Sequence, residues 1–272
     1  MKFICPAWGM DLSNTNSVIF KIMNGGYDGV EIGFPLKENE KQKETFRAAY
    51  QEGLILIAQH YDADGETPEE YLSSFSEHLY FLASLNPFLI NSQTGKDYFS
   101  FEENCAILEK AFAIENETGV RILHETHRGK FSYSIDILEK YLNQFPQLRI
   151  TADFSHYCAV SESFLQTARQ KSFVEKAIAR TDHIHARVGY PQGPQINDPQ
   201  AEEWKEALQI HLQWWDAIIE KNKSKDIFTI TPEFGPPPYM SQLPYSREPV
   251  SSQWEINLFM KELLNKRYTP IL

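Results

Sequence analysis

The sequence predicts a single (β/α)8 barrel, and three observations point there. Its 272 residues match one such barrel of roughly 250 residues, although that length would also hold two average domains. Short apolar runs alternate with longer amphipathic stretches in eight units, the pattern of strands that each feed a helix. No GxGxxG follows an early strand, as a doubly wound dinucleotide-binding sheet would require.

Taken in order, strands are predicted at Lys2–Trp8, Gly29–Gly33, Leu54–Tyr61, Phe88–Gln93, Arg121–His127, Arg149–His156, His183–Gly189 and Ile227–Phe234. Helices are predicted between them, for example over Thr67–Ala83, Phe101–Thr118, Ile135–Leu142 and Glu202–Lys221. Thr67-Pro68-Glu69-Glu70 reads as a cap followed by Pro and acidic residues, and Ser100 with Glu103 as a capping box. Gly53 and Gly119 stand where a helix C-terminus needs a stop before the next strand. Two Pro- and Gly-containing loops, Tyr190–Pro199 and Gly235–Pro249, follow the seventh and eighth strands. That puts both at the catalytic end of a barrel, where they are expected to close over a substrate.

Composition narrows the function. The chain has 26 Lys+Arg against 37 Asp+Glu, a net charge of −11, which argues against binding a phosphate backbone. It leaves room for a small anionic ligand held by local arginines. Cys5, Cys105 and Cys158 lie far apart without a CxxC pair, so reduced thiols and a cytoplasmic location are expected. The N-terminal apolar run is broken by Pro6 and Asp11, too early for a signal peptide. No stretch approaches the roughly 18 apolar residues that span a bilayer, so no membrane partner is expected.

The chemistry lies in polar residues set into apolar strands. Alternate strand residues face opposite sides. If Ile184, Ala186 and Val188 face the helices, then His183, His185 and Arg187 face the barrel axis. The same parity turns Asp153, Glu233, Glu125 and Glu31 inward, each towards the C-terminal end of its strand. Glu125, Asp153, His185 and Glu233 then converge from four consecutive strands. Three carboxylates in one place repel unless a cation lies between them. This mixed oxygen and nitrogen set suits one divalent metal ion, Mn2+, Zn2+, Co2+ or Mg2+, without choosing among them.

The series Gly26-Tyr27-Asp28-Gly29-Val30-Glu31, His60, Glu125, Asp153-Phe154-Ser155-His156, His183-Ile184-His185 and Pro232-Glu233 resembles the xylose isomerase-like TIM-barrel superfamily. That group includes sugar phosphate isomerases and epimerases, ketose 3-epimerases, inosose dehydratases and endonuclease IV. The resemblance covers nearly the whole chain. It implies a metal held by Glu125, Asp153, His185 and Glu233, a substrate-binding His156, and Glu125 with Glu233 as an acid/base pair. It also implies a small-molecule sugar substrate and a homo-oligomer. Departures restrict it. The ketose 3-epimerases carry an Arg six residues past the metal His, here Pro191, and a Glu six residues past the strand-5 Glu, here Phe131. Arg187 and Arg128 are the candidates to supply the missing guanidinium. Endonuclease IV uses three metals and further histidines, whereas the fourth strand here ends Asn91-Ser92-Gln93. DNA repair is thereby disfavoured.

Proton transfer beside a carbonyl, through an enediolate, is the reaction expected of such a site. A metal-dependent dehydratase or hydrolase on the same barrel is the alternative. Further candidates for contact with substrate are His60 at the third strand end, His127 and Arg128 in the loop after Glu125, and Glu31, which could instead hold His60. His124 should face the helices, and His183 should lie one layer below His185. Trp8, Phe34 and Trp254 are the candidate apolar walls.

Overall fold

The computed structural model describes residues 1–269. Eight parallel strands pair in sequence order and close on themselves: β1 Lys2–Pro6, β2 Gly29–Phe34, β3 Ile55–His60, β4 Leu89–Ser92, β5 Ile122–Glu125, β6 Ile150–Ala152, β7 Thr181–His185 and β8 Thr229–Thr231. The closing pair is β1 with β8, in register Lys2↔Thr229 and Phe3↔Ile230. The helices α1 Thr15–Asn24, α2 Glu40–Gln51, α3 Pro68–Ser84, α4 Phe101–Thr118, α5 Ile135–Gln144, α6 Ser155–Val160, α7 Ala168–Ile178, α8 Lys205–Asn222 and α9 Gln253–Tyr268 follow the strands, two of them after β6. The chain is one (β/α)8 barrel, as the alternation predicts. None of these helices is long and apolar enough to cross a membrane.

Local sequence sets the helix ends. Thr67 and Ser100 each close a reciprocal capping box, with Glu70 and Glu103, and Pro68 occupies the first turn of α3. Gly119 ends α4 at φ +72°, a left-handed conformation that glycine adopts without strain.

Apolar residues separate into two layers. Ile4, Ile57, Leu89 and Leu123 fill the barrel interior, whereas Leu56, Ala58, Ile90, Ile184 and Ile230 join the layer between sheet and helices. The N-terminal face of β5–β8 is held by Asp182, whose buried carboxylate receives Arg121, Arg149 and Lys225.

Except for β2, which runs one residue further to Phe34, the strands are shorter than their apolar runs. β6 stops at Ala152 because the Asp153 carboxylate takes the Ser155 backbone N–H at 3.1 Å and opens α6, where the run had read as strand to His156. β7 starts two residues earlier than its run, and β8 covers only Thr229–Thr231. Asp153, Arg187 and Glu233 thus lie just beyond strand ends.

Candidate metal and substrate site

Four of the inward-facing residues meet at one point. One ligating atom from each of Glu125, Asp153, His185 and Glu233 lies within 4.8 Å of the other three, and all four residues are buried. Glu31 fixes the imidazole of His185. Its carboxylate oxygens lie 3.0 and 3.1 Å from His185 Nε2, so that nitrogen carries a proton and Nδ1 is the atom that faces the cluster. Nδ1 stands 2.8 Å from Glu233 Oε2 and 3.8 Å from Glu125 Oε1. All three atoms are buried; Glu125 Oε1 has no hydrogen-bond partner, and the facing His185 Nδ1 and Glu233 Oε2 have only each other within 3 Å.

The opposite oxygens of the two glutamates are supplied with donors. Asn91 Nδ2 donates to Glu125 Oε2 at 3.1 Å and Gln93 Nε2 does so at 3.4 Å, while Gln59 Nε2 reaches Glu233 Oε1 at 3.5 Å. Asp153 reaches the same point with both oxygens engaged, Oδ1 by the Ser155 N–H and hydroxyl, Oδ2 by Arg187 Nη2.

The electrostatics call for a positive charge. Burial pushes the Glu125 carboxyl up to about 7, with Glu233 and Asp153 adding to the rise and His185 opposing it. Burial also raises Asp153, against the pull of Arg187. Burial alone would strip a proton from His185, yet Glu233, Glu31 and Glu125 raise its proton affinity well above the usual range.

Above this cluster opens a cavity of about 590 Å³. Glu125, Glu233, Arg187, Gln59, Gln93 and His127 form its polar floor, with Trp8, Met10, Leu12, Tyr61 and Tyr239 as walls and Lys41 and Gln42 from α2. Arg187 is only 2% exposed. Its guanidinium bonds Asp153, lies 2.7 Å from His156 Nε2 and 3.6 Å from Glu233, and sits 4.7 Å from the Tyr239 ring centre. His156 is buried behind Arg187 and packed on His127 with ring centroids 3.9 Å apart and planes tilted by 50°, outside the cavity lining.

Other expected contacts lie elsewhere. His60 faces the helix layer: its ring packs edge-on against Phe75 and against His78, and Nδ1 bonds Ser92 Oγ at 3.0 Å. Gln59, its neighbour, takes the inward position. Glu31 does not hold His60 and lies beneath the cavity, bonded to His185, Asn91 and Thr231. Arg128 is exposed, with its guanidinium 5.3 Å from the Tyr239 ring centre, outside the lining. His183 bonds Thr229 through Nδ1, one layer below His185, and His124 faces Phe112 and Phe131, both as the parity requires. Trp8 lines the cavity. Phe34 packs on Phe46 and Phe81, and Trp254 on Tyr27.

The loop Tyr190–Pro199 is fastened down and is no open flap. Tyr190 and Gly193 exchange backbone bonds, and the Ile196 N–H donates to Val188 O at 2.9 Å. In the second loop Met240 is buried, and residues 241–250 stand exposed. Asn91, Gln59, Gln93 and Tyr239 are the site residues that motif reasoning missed. The first three had a signal, a polar residue inside an apolar run; Tyr239 had none.

The sequence matches no protein-family model and no curated protein. Solved structures do match over nearly the whole chain. An L-ribulose 3-epimerase is 10% identical with a TM-score of 0.66, covering 97% of this chain and 93% of its own. The D-allulose 3-epimerase from Methylomonas sp., solved with D-allulose, is 16% identical with a TM-score of 0.61, covering 98% and 97%. The probable 3-DHS dehydratase AsbF from Bacillus anthracis is 17% identical with a TM-score of 0.61, covering 98% and 100%. At these identities the likeness is one of fold, a (β/α)8 barrel.

Proposed function

We propose that the protein is a divalent-metal-dependent isomerase or epimerase acting on a sugar or sugar phosphate. The observation that carries this reading is the trio of buried atoms, Glu125 Oε1, Glu233 Oε2 and His185 Nδ1, turned towards one another under an open polar cavity, where two carboxylate oxygens share one imidazole nitrogen. Such atoms are costly to bury unless something positive satisfies them. Their separations suit ligands of one small cation, whose bonds of about 2.0–2.2 Å set neighbouring donors roughly 3 Å apart. Glu125, Asp153, His185 and Glu233 would hold the ion, and Mn2+, Co2+, Mg2+ and Zn2+ all accept this donor set. Bound there, the ion would polarise a substrate carbonyl and stabilise negative charge on adjacent oxygens.

The chain's own groups supply the proton transfers. Each glutamate keeps a second oxygen turned away from the cluster: Glu233 Oε1 meets Gln59 at 3.5 Å, and Glu125 Oε2 accepts from Asn91 at 3.1 Å and Gln93 at 3.4 Å. One glutamate removes the proton beside the carbonyl, and the other returns a proton at the next carbon or on the opposite face. Arg187 keeps Asp153 in place. Trp8 and Tyr239 offer aromatic surface to the apolar face of a sugar, and Gln59 and Gln93 bind hydroxyls.

The test is solvent exchange. With Mn2+ and a panel of ketoses in D2O, the wild type should incorporate deuterium at carbon, and both Glu125→Gln and Glu233→Gln should abolish it. Exchange retained in both variants removes them as the acid/base pair. A dehydratase begins with the same proton abstraction and then expels a hydroxide from the neighbouring carbon. The second reading therefore predicts a dehydrated product where the first predicts an isomer.

A further inference from the structure

β8 is three residues long, and Glu233 lies two residues past its end. The backbone around Glu233 is therefore outside the ladder, and its buried N–H and C=O groups need other partners. Two side-chain amides pair with both groups of one residue each, and Gln253 Nε2 on α9 adds a further donor to the Phe234 carbonyl at 3.0 Å. Asn257 on α9 accepts the Phe234 N–H at 2.8 Å and donates to the Phe234 carbonyl at 3.0 Å. Gln195, in the loop after β7, does the same for Gly235: Oε1 accepts its N–H at 2.7 Å, and Nε2 donates to its carbonyl at 3.2 Å. Each amide reads one residue's donor and acceptor as an adjacent strand would.

Gln195 is only 6% exposed, and the loop that carries it is pinned by the Ile196–Val188 bond. On its other side Gly235 lies flat on Trp8, where an added Cβ would come within 2.2 Å of the indole. The segment following Glu233 is thus gripped between Gln195 and Trp8. Glu233 itself meets His185 at 2.8 Å.

We infer that Gln195 is a positioning residue for Glu233, acting through Gly235 to hold the carboxylate at the metal cluster. The inference rests on the proposed role of Glu233 towards a divalent ion. Gln195→Met keeps the side chain's size and removes both bonds, so Mn2+ should bind at least about tenfold more weakly by calorimetry. Gln195→Glu retains the acceptor for the Gly235 N–H and should fall between Gln195→Met and wild type, which covers the case in which Gln195→Met does not fold. Asn222→Ala is the stability control. It removes a buried amide bonded to Thr181 O and Ile218 O at the end of α8, and should lower the melting temperature without changing Mn2+ affinity. Affinity within about twofold of wild type in both Gln195 variants overturns the inference, as does an equal loss in Asn222→Ala. Crystal structures of wild type and of Gln195→Met, or of Gln195→Glu in its place, should differ in the distance from Glu233 Oε2 to His185 Nδ1, which should be longer in the variant; an equal distance overturns the inference as well. Wild-type protein that binds no Mn2+ sinks the proposed function, and the crystal structure alone then decides the role of Gln195.

Discussion

Glu31 holds His185 by the nitrogen that faces away from the cluster, 3.0 Å from carboxylate oxygen to Nε2. The two residues come from β2 and β7 and meet inside the barrel. Glu31 lies well below the usual carboxylate range: burial opposes this, but His185 and His183 beside it outweigh burial. Glu31→Gln, which keeps the shape and loses the charge, should weaken Mn2+ binding about 10- to 100-fold although Glu31 is no ligand. Calorimetry on chelator-treated protein reads this directly. Unchanged affinity would mean that the orientation of His185 has another source.

Arg187 is the counter-charge of Asp153. Removing it leaves the buried Asp153 carboxylate without its counter-charge, and Asp153 Oδ2 and His156 Nε2 without a donor, a loss of about 3–5 kcal/mol for an unpaired buried charge. Arg187→Lys should recover little of that, because an ammonium cannot bridge Asp153 and His156 in the plane of a guanidinium while lying against Tyr239. Urea unfolding of Arg187→Met and Arg187→Lys checks the ranking, and stability within 1 kcal/mol of wild type in either variant would contradict it.

His60 gives a negative prediction for the site. His60→Leu should lower stability by about 1–3 kcal/mol through lost packing on Phe75 and a lost bond to Ser92. Mn2+ affinity and deuterium exchange should not change. A selective loss of exchange at unchanged melting temperature would restore His60 to the cavity.

His211 carries a pH term far from the cluster. Its Nδ1–H donates to Ala207 O at 2.8 Å, and its Nε2 accepts the Gly189 N–H at 3.2 Å, so only the neutral ring fits. Burial lowers it to about 4, against roughly 6.5 in an unfolded chain. Between those values the unfolded state binds the extra proton, so stability falls as pH drops from 6.5 towards 4. His211→Gln should be less stable at pH 7.5 and should show a shallower decline across that window. An identical slope in wild type and variant refutes the assignment.

The barrel was legible because each unit carried its own signal: period, caps and stops. The carboxylates were legible because Glu31, Glu125, Asp153 and Glu233 interrupt apolar runs at the same end. Parity failed for β3, where both faces are apolar. Leu56, Ala58 and His60 face outward and Ile57 and Gln59 inward, but nothing in Leu54–Tyr61 distinguishes the two sets without a partner strand to fix register. The contacts of Arg187, Gln195 and Tyr239 were not legible at all. They depend on loops meeting across the barrel mouth, where no period operates.

The seam between β1 and β8 has a consequence for biosynthesis. During translation the first seven strands emerge with two unpaired edges, β1 and β7, and neither edge is covered until β8 leaves the ribosome. The same late segment delivers Glu233. A nascent chain, or one truncated before β8, is therefore both open-edged and without the fourth member of its buried cluster, so that shelter from aggregation and the complete cluster arrive together.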